Sequence, residues 1–163
     1  IIDVGGGTSP LADDLLAEGY AGLTVLDLSA AALAVARQRL GKLADSVHWI
    51  EGDITRATFP LHRFDIWHDR AVFHFLTDPA DRHAYVEQVM RAVRPGGHVI
   101  VATFAEDGPE KCSGLPVMRY RPESLHAEFG DAFLLTGHEK EAHHTPFGTV
   151  QQFVYCYCRK GNS

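Results

Sequence analysis

Ile1-Ile2-Asp3-Val4-Gly5-Gly6-Gly7-Thr8-Ser9-Pro10 is the stretch that decides the fold. Its first four residues read as a strand in progress, its glycines as a sharp turn, and Ser9-Pro10 as the cap and first position of a helix. Glycines between a strand and a helix let the backbone turn tightly and approach a ligand closely. Asp27 ends the next strand-like run, Leu23–Asp27. A carboxylate roughly 20 residues beyond such a loop can accept both hydroxyls of a ribose, so the two features together point to a nucleoside-containing ligand. A glycine turn beside a surface aspartate is the plainer reading, and it leaves their shared position at strand ends unexplained.

The same alternation continues to Phe104, with strands expected at Ile1–Val4, Leu23–Asp27, Val47–Glu51, Phe64–His68 and His98–Phe104. Between them, Pro10–Glu18 carries Leu11, Leu15 and Leu16 on one side. Ser29 caps a second helix with a Leu33, Ala36, Leu40 stripe and Arg37, Arg39 and Lys42 toward its C-terminal end. A third helix begins at Asp78-Pro79, presents Tyr85, Val86, Val89, Met90 and Val93, and stops at Pro95-Gly96-Gly97. Beyond Phe104 come a turn-rich loop, Ala105–Pro116, a short helix after Pro122, and two strand-like runs, Phe133–His143 and Val150–Arg159. The connection His144-Thr145-Pro146-Phe147-Gly148 is short enough to make them an antiparallel pair at the sheet edge. The expected class is α/β: a Rossmann-like open twisted sheet, mostly parallel, with helices on both faces. Residues 1–163 read as a single domain, and because the chain opens inside a strand and without Met, residues before Ile1 are expected to be missing.

Composition narrows the functions. Hydrophobic residues at 45% and charged residues at 22% exclude a disordered or low-complexity chain. Net charge is -6, without the basic footprint that nucleic acid requires. No apolar run approaches the ~18 residues of a membrane helix. Cys112, Cys156 and Cys158 form no disulfide framework, which points to a reducing cytoplasm. The histidines are scattered, and no set at metal-ligand spacing emerges, so no metal is expected.

Several residues carry chemistry in more than one way. A dinucleotide loop wants a third glycine, but Gly7-Thr8-Ser9-Pro10 follows here, which weighs against a nicotinamide cofactor. Asp53, in Glu51-Gly52-Asp53-Ile54, follows the third strand, where its carboxylate can accept from an adenine amino group while Ile54 packs on the ring; a polar turn is the alternative. His74, between Phe73 and Phe75, reads either as general base or substrate contact, or as a hydrogen-bonded histidine in an aromatic wall. Cys112 lacks a paired base. Cys156 and Cys158 share one strand face and read as packing.

In order, IIDVGGGTS, VLDLS, EGDIT, FDIWHDRAVFHFL and VRPGGHVIVATF give a chain that resembles the class I S-adenosylmethionine-dependent methyltransferases over nearly its whole length. The resemblance implies a seven-stranded sheet with its last strand antiparallel, and N-terminal helices among the residues expected to be missing before Ile1. It also implies an S-adenosyl-L-methionine site built by Asp3, Gly5, Gly6, Gly7, Asp27, Leu28, Asp53 and Ile54. Asp69 would lie beside the transferring methyl, with Asp69 and His74 as candidate catalytic residues. Ser9 stands where the family more commonly has another glycine. Asp69-Arg70-Ala71 is similar both to the Asp-Arg-Gly of thiol methyltransferases and to the Asp-Lys-Gly of some protein-lysine methyltransferases, so sulfur, oxygen and nitrogen acceptors stay open. A small-molecule substrate is favoured because Glu106–Tyr120 and His143–Gly148 offer Cys112, Leu115, Met118, Tyr120, Phe147 and two histidines as a partly apolar lining. Alternatives are a protein-lysine methyltransferase, a noncatalytic S-adenosylmethionine-binding protein and a nicotinamide-dependent oxidoreductase.

Overall fold

The computed structural model describes residues 1–163. Strands and helices alternate as β1 (Ile2–Val4), α1 (Leu11–Ala17), β2 (Leu23–Asp27), α2 (Ala30–Leu40), β3 (Val47–Glu51), β4 (Phe64–Arg70), α3 (Pro79–Ala92) and β5 (Val93–Phe104). A two-residue-strand hairpin, β6 (Lys111–Cys112) and β7 (Leu115–Pro116), precedes α4 (Pro122–Phe129), β8 (Phe133–His144) and β9 (Val150–Lys160). The main sheet has the order β3-β2-β1-β4-β5-β9-β8. Pairs among β1 to β5 are parallel, whereas β9 is antiparallel to both β5 and β8. Of these seven, only β9 therefore runs against the rest. The chain moves outward from β1 to β3 and then returns to β4 on the other side of β1. That reversal opens a crevice at the carboxyl ends of β1 and β4, where open α/β sheets bind ligands.

Both faces are covered by helices. On one, Ala12 of α1 and Leu33 of α2 pack with Leu23, Val25 and Val47. The larger core lies on the other, where Tyr85 and Val89 of α3 and Leu125 and Phe129 of α4 meet Ile2, Val4, Trp67, Val99 and Val154. Ser29 caps α2 by accepting from the Ala32 N–H at 3.1 Å, and the Leu33, Ala36, Leu40 stripe is buried. No helix is long and apolar enough to cross a membrane.

Local details depart from the sequence reading. The cap position of α1 belongs to Pro10, with Ser9 Oγ accepting from the Leu11 N–H at 3.2 Å. β4 runs two residues further than expected, so Asp69 and Arg70 lie within it. α3 ends at Ala92, and β5 starts at Val93 rather than His98. Phe64 pairs with Val93 and Ile66 already with His98, so Arg94-Pro95-Gly96-Gly97 forms a bulge inside the strand. A lysine, not the glycines, completes the end of α3: buried Lys160 donates through Nζ to the carbonyls of Met90 and Val93. The small hairpin turns through Ser113 and Gly114, at φ 51° and 78°, the positive values that a two-residue hairpin turn demands.

Candidate functional site

Each residue of the glycine loop meets a different neighbour. Gly5 has φ +74°, and an added Cβ would come within 2.2 Å of Val72 Cγ2. A Cβ on Gly6 would stand 2.2 Å from Asp3 Oδ2, and one on Gly7 would stand 2.8 Å from both Asp27 Oδ2 and the Ala32 methyl. The space a side chain needs is taken up by two carboxylates and a valine. Asp3, buried under the loop, places Oδ1 2.9 Å from His68 Nδ1, while its Oδ2 is buried without a partner.

Asp27 is held by the backbone it follows. Oδ2 accepts from the Gly7 N–H at 3.0 Å and Oδ1 from the Ser29 N–H at 2.8 Å. Each oxygen keeps a further lone pair, and the residue lines a cavity of about 540 Å³. Leu28, Asp53 and Ile54 continue that wall, and Gly5 contributes to it. Asp53 Oδ1 accepts from the Thr55 N–H at 2.9 Å and the Thr55 hydroxyl at 2.8 Å, which leaves Oδ2 free. Val4, Leu26 and Gly52 complete the wall on the side of β1 to β3, and the opposite side comes from Val72, Phe75, Leu76 and Thr77 after β4 and from Leu115 and Pro116 of the small hairpin. One cavity thus combines a few fixed carboxylates with an apolar flank, the usual make-up of a small-molecule site.

The two candidate catalytic residues are elsewhere, for reasons of packing. Asp69 has no exposed surface. Its Oδ1 accepts from the Val72 N–H at 2.9 Å, and its Oδ2 accepts from the Phe73 N–H at 3.0 Å and the Tyr85 hydroxyl at 2.5 Å. Burial pushes its carboxyl up to about 6, against the opposing pull of these donors. Its carboxylate ties the segment after β4 to α3 rather than facing the cavity. His74 is equally buried, with Nδ1 accepting from the Phe104 N–H at 3.0 Å. Burial, helped by the Arg70 charge, lowers it to about 4, so the ring is neutral at physiological pH.

The two acceptor loops expected from the sequence divide in the same way. Leu115 reaches the cavity. Cys112 packs instead beside Ala102, Phe104 and Phe153, Met118 joins the main core, and Tyr120 donates its hydroxyl to Glu128 Oε1 at 3.0 Å. Phe147 is 92% exposed at the tip of the β8–β9 hairpin and does not line the cavity; neither His143 nor His144 does. Cys156 and Cys158 are core residues, and burial raises their thiols to about 12 and about 11. Val72, Phe75, Leu76, Thr77 and Pro116 are wall residues that the sequence reading did not single out as lining, although four of them stand within five residues of Asp69 or His74.

Fold and site together define a nucleoside-cofactor protein: a glycine loop after the first strand, an acid at the end of the second and an acid after the third, all at a topological switch point. Residues 1–97 match the family described as Methyltransferase domain. The chain belongs to that family, as a class I S-adenosylmethionine-dependent methyltransferase, and S-adenosylmethionine is its cofactor. Among curated proteins none matches the sequence. Solved structures share the fold. A methyltransferase from Methanosarcina mazei, 16% identical, superimposes with a TM-score of 0.80 over 99% of this chain and 92% of its own. A Burkholderia thailandensis 1,6-didemethyltoxoflavin-N1-methyltransferase, solved with that substrate and S-adenosylhomocysteine, is 20% identical, with a TM-score of 0.75 over 98% of this chain and 70% of its own. An N-methyltransferase from Bradyrhizobium japonicum is 17% identical, with a TM-score of 0.75 over 98% and 84%.

The residues present fit S-adenosylmethionine. The loop leaves no room for a Cβ at Gly5, Gly6 or Gly7, Asp3 Oδ2 lacks a partner beneath it, and two carboxylates with spare lone pairs bound the cavity.

Proposed function

We propose that this domain transfers a methyl group from S-adenosylmethionine to a small-molecule nucleophile. The observation that carries the reading is the continuity of one cavity from Asp27 and Asp53 to the apolar flank of Phe75, Leu76, Leu115 and Pro116. The cofactor supplies an electrophilic methyl on a sulfonium. This chain's residues would do the rest. Asp27 would accept from the ribose hydroxyls, Asp53 from the adenine amino group, and Leu28 and Ile54 would sandwich the base. The loop Gly5–Gly7, with Asp3 beneath it, would hold the amino-acid end. Methyl transfer is an in-line displacement, so the flank's task is to orient the acceptor. An apolar flank of this size suits a compact acceptor better than a lysine on a protein surface, which would need an open acidic approach. All three cysteines are free, which supports a reducing compartment.

Calorimetric titration with S-adenosylmethionine and NADH, followed by product mass spectrometry on a panel of small thiols, phenols, amines and a lysine peptide, tests the reading. Binding of S-adenosylmethionine alone with a methylated small molecule is the expected result. Tight cofactor binding with only the peptide methylated, or with no product at all, would refute it.

A further inference from the structure

His74 is buried and neutral, and the cavity reading gives it no proton to move. Its hydrogen bonds single it out nonetheless. Its ring Nδ1 accepts from the N–H of Phe104, the last residue of β5, at 3.0 Å. Its main-chain carbonyl accepts from the Met118 N–H at 2.7 Å. Phe104 and Met118 flank the excursion that carries the small hairpin, and the Tyr120 N–H returns to the Phe104 carbonyl at 3.1 Å. Between these ties lie Leu115 and Pro116, which line the cavity. His74 itself belongs to a 3-10 turn, Phe73–Phe75, whose last residue is another wall residue. Its ring packs on Phe104 and Phe75, with centroids 4.7 and 4.8 Å away.

We propose that His74 is a positioning residue for the acceptor wall. Through one ring nitrogen and one carbonyl it joins both feet of the Phe104–Met118 excursion to the turn that bears Phe75, so the two halves of the apolar flank are held as one unit. The inference rests on the reading of that flank as the acceptor side. Because Nδ1 accepts from an N–H, the ring proton must sit on Nε2, which is buried without a partner. A histidine kept only for volume has no need of this tautomer. A general base facing an acceptor would have to exchange its proton with that acceptor near neutral pH.

Two measurements test this. In 15N-labelled wild-type protein, the His74 ring should show a bare Nδ1 and a protonated Nε2, unchanged between pH 8 and 6. A proton on Nδ1, or a titration between pH 6 and 7, would overturn the proposal. Next, His74→Asn keeps an oxygen acceptor near the Nδ1 position, whereas His74→Leu removes it. Amide exchange over residues 105–120 should speed by about tenfold or more in His74→Leu, with S-adenosylmethionine affinity within about threefold of wild type. His74→Asn should return exchange to near the wild-type rate. Unaltered exchange in folded His74→Leu, or equal loosening in both variants, sinks the proposal. If His74→Leu does not fold, the tautomer and the Asn variant still decide. Failure of the wild type to bind S-adenosylmethionine would remove the methyl-transfer reading instead, leaving the tautomer and exchange results to speak for the tie alone.

Discussion

Tyr85→Phe tests the buried chain that holds the segment after β4. Trp67, Asp69 and Tyr85 are each fully buried. The Tyr85 hydroxyl donates to Asp69 Oδ2 at 2.5 Å and accepts from Trp67 Nε1 at 2.9 Å. Phenylalanine preserves the ring's packing on Phe73 and Trp67, at 4.9 and 5.7 Å between centroids, so the change isolates one oxygen. Two losses follow: a hydrogen bond to a charged group, about 1.5–3 kcal/mol, and an indole donor left buried and unpaired, about 1–3 kcal/mol. Together they amount to about 2.5–6 kcal/mol, a large share of the stability of an ordinary domain.

The pH dependence gives a sharper test. Asp69 is raised to about 6 in the folded state, mainly by burial, so the stability it contributes is fully present below the ordinary carboxyl range, near 4, and is lost as pH rises through 6. Tyr85 opposes that loss by stabilising the ionised form. In Tyr85→Phe the Asp69 value rises further, and the loss continues to higher pH. The gap between wild type and variant should therefore be wider at pH 8 than at pH 5. Urea unfolding followed by circular dichroism at both values measures it. A gap below about 1 kcal/mol, or one of the same size at both pH values, would show that water or a rearranged side chain replaces the hydroxyl.

Other expectations concern the cavity. Asp27→Ala should weaken S-adenosylmethionine binding by on the order of 1.5–3 kcal/mol in a titration of folded protein; unchanged affinity would place the ribose elsewhere. Gly6→Val puts a branched side chain where even a Cβ stands 2.2 Å from Asp3 Oδ2, and binding should be abolished. A folded Gly6→Val protein with wild-type affinity would reduce the loop to an ordinary turn. Leu115→Ala should lower acceptor turnover while Phe147→Ala leaves it unchanged, since only Leu115 lines the cavity. The reverse pattern would move the acceptor to the β8–β9 hairpin.

What could be read in advance follows how local each cause is. The Ser29 cap and the Leu33, Ala36, Leu40 stripe depend on neighbours a few residues away, and they stand where expected. The glycine loop does too, although the side chains that close on Gly5 and Gly7, Val72, Asp27 and Ala32, come from farther along the chain. The fate of His74 depends on Phe104, 30 residues later, which no local pattern reveals. Phe147 misled because an aromatic residue reads as lining, yet Pro146-Phe147-Gly148 sits at a hairpin tip that extends past the end of β5. The small hairpin lies inside Ala105–Pro116, the stretch expected as a turn-rich loop, because its two-residue strands are too short to show alternation. Asp69 is the instructive case, because its burial was legible. Side chains two apart on a strand share a face. Trp67 precedes Asp69 by two and pairs with Ile2, while Asp69 pairs with Val4, so both lie on the face that α3 covers. His68 and Arg70 take the opposite face, where they meet Asp3 and Tyr155. An acid that follows a core tryptophan at this spacing is carried into the core with it, and only a donor such as the Tyr85 hydroxyl lets it stay there. The end of a strand brings residues to the crevice, but the pleat decides which of them face it.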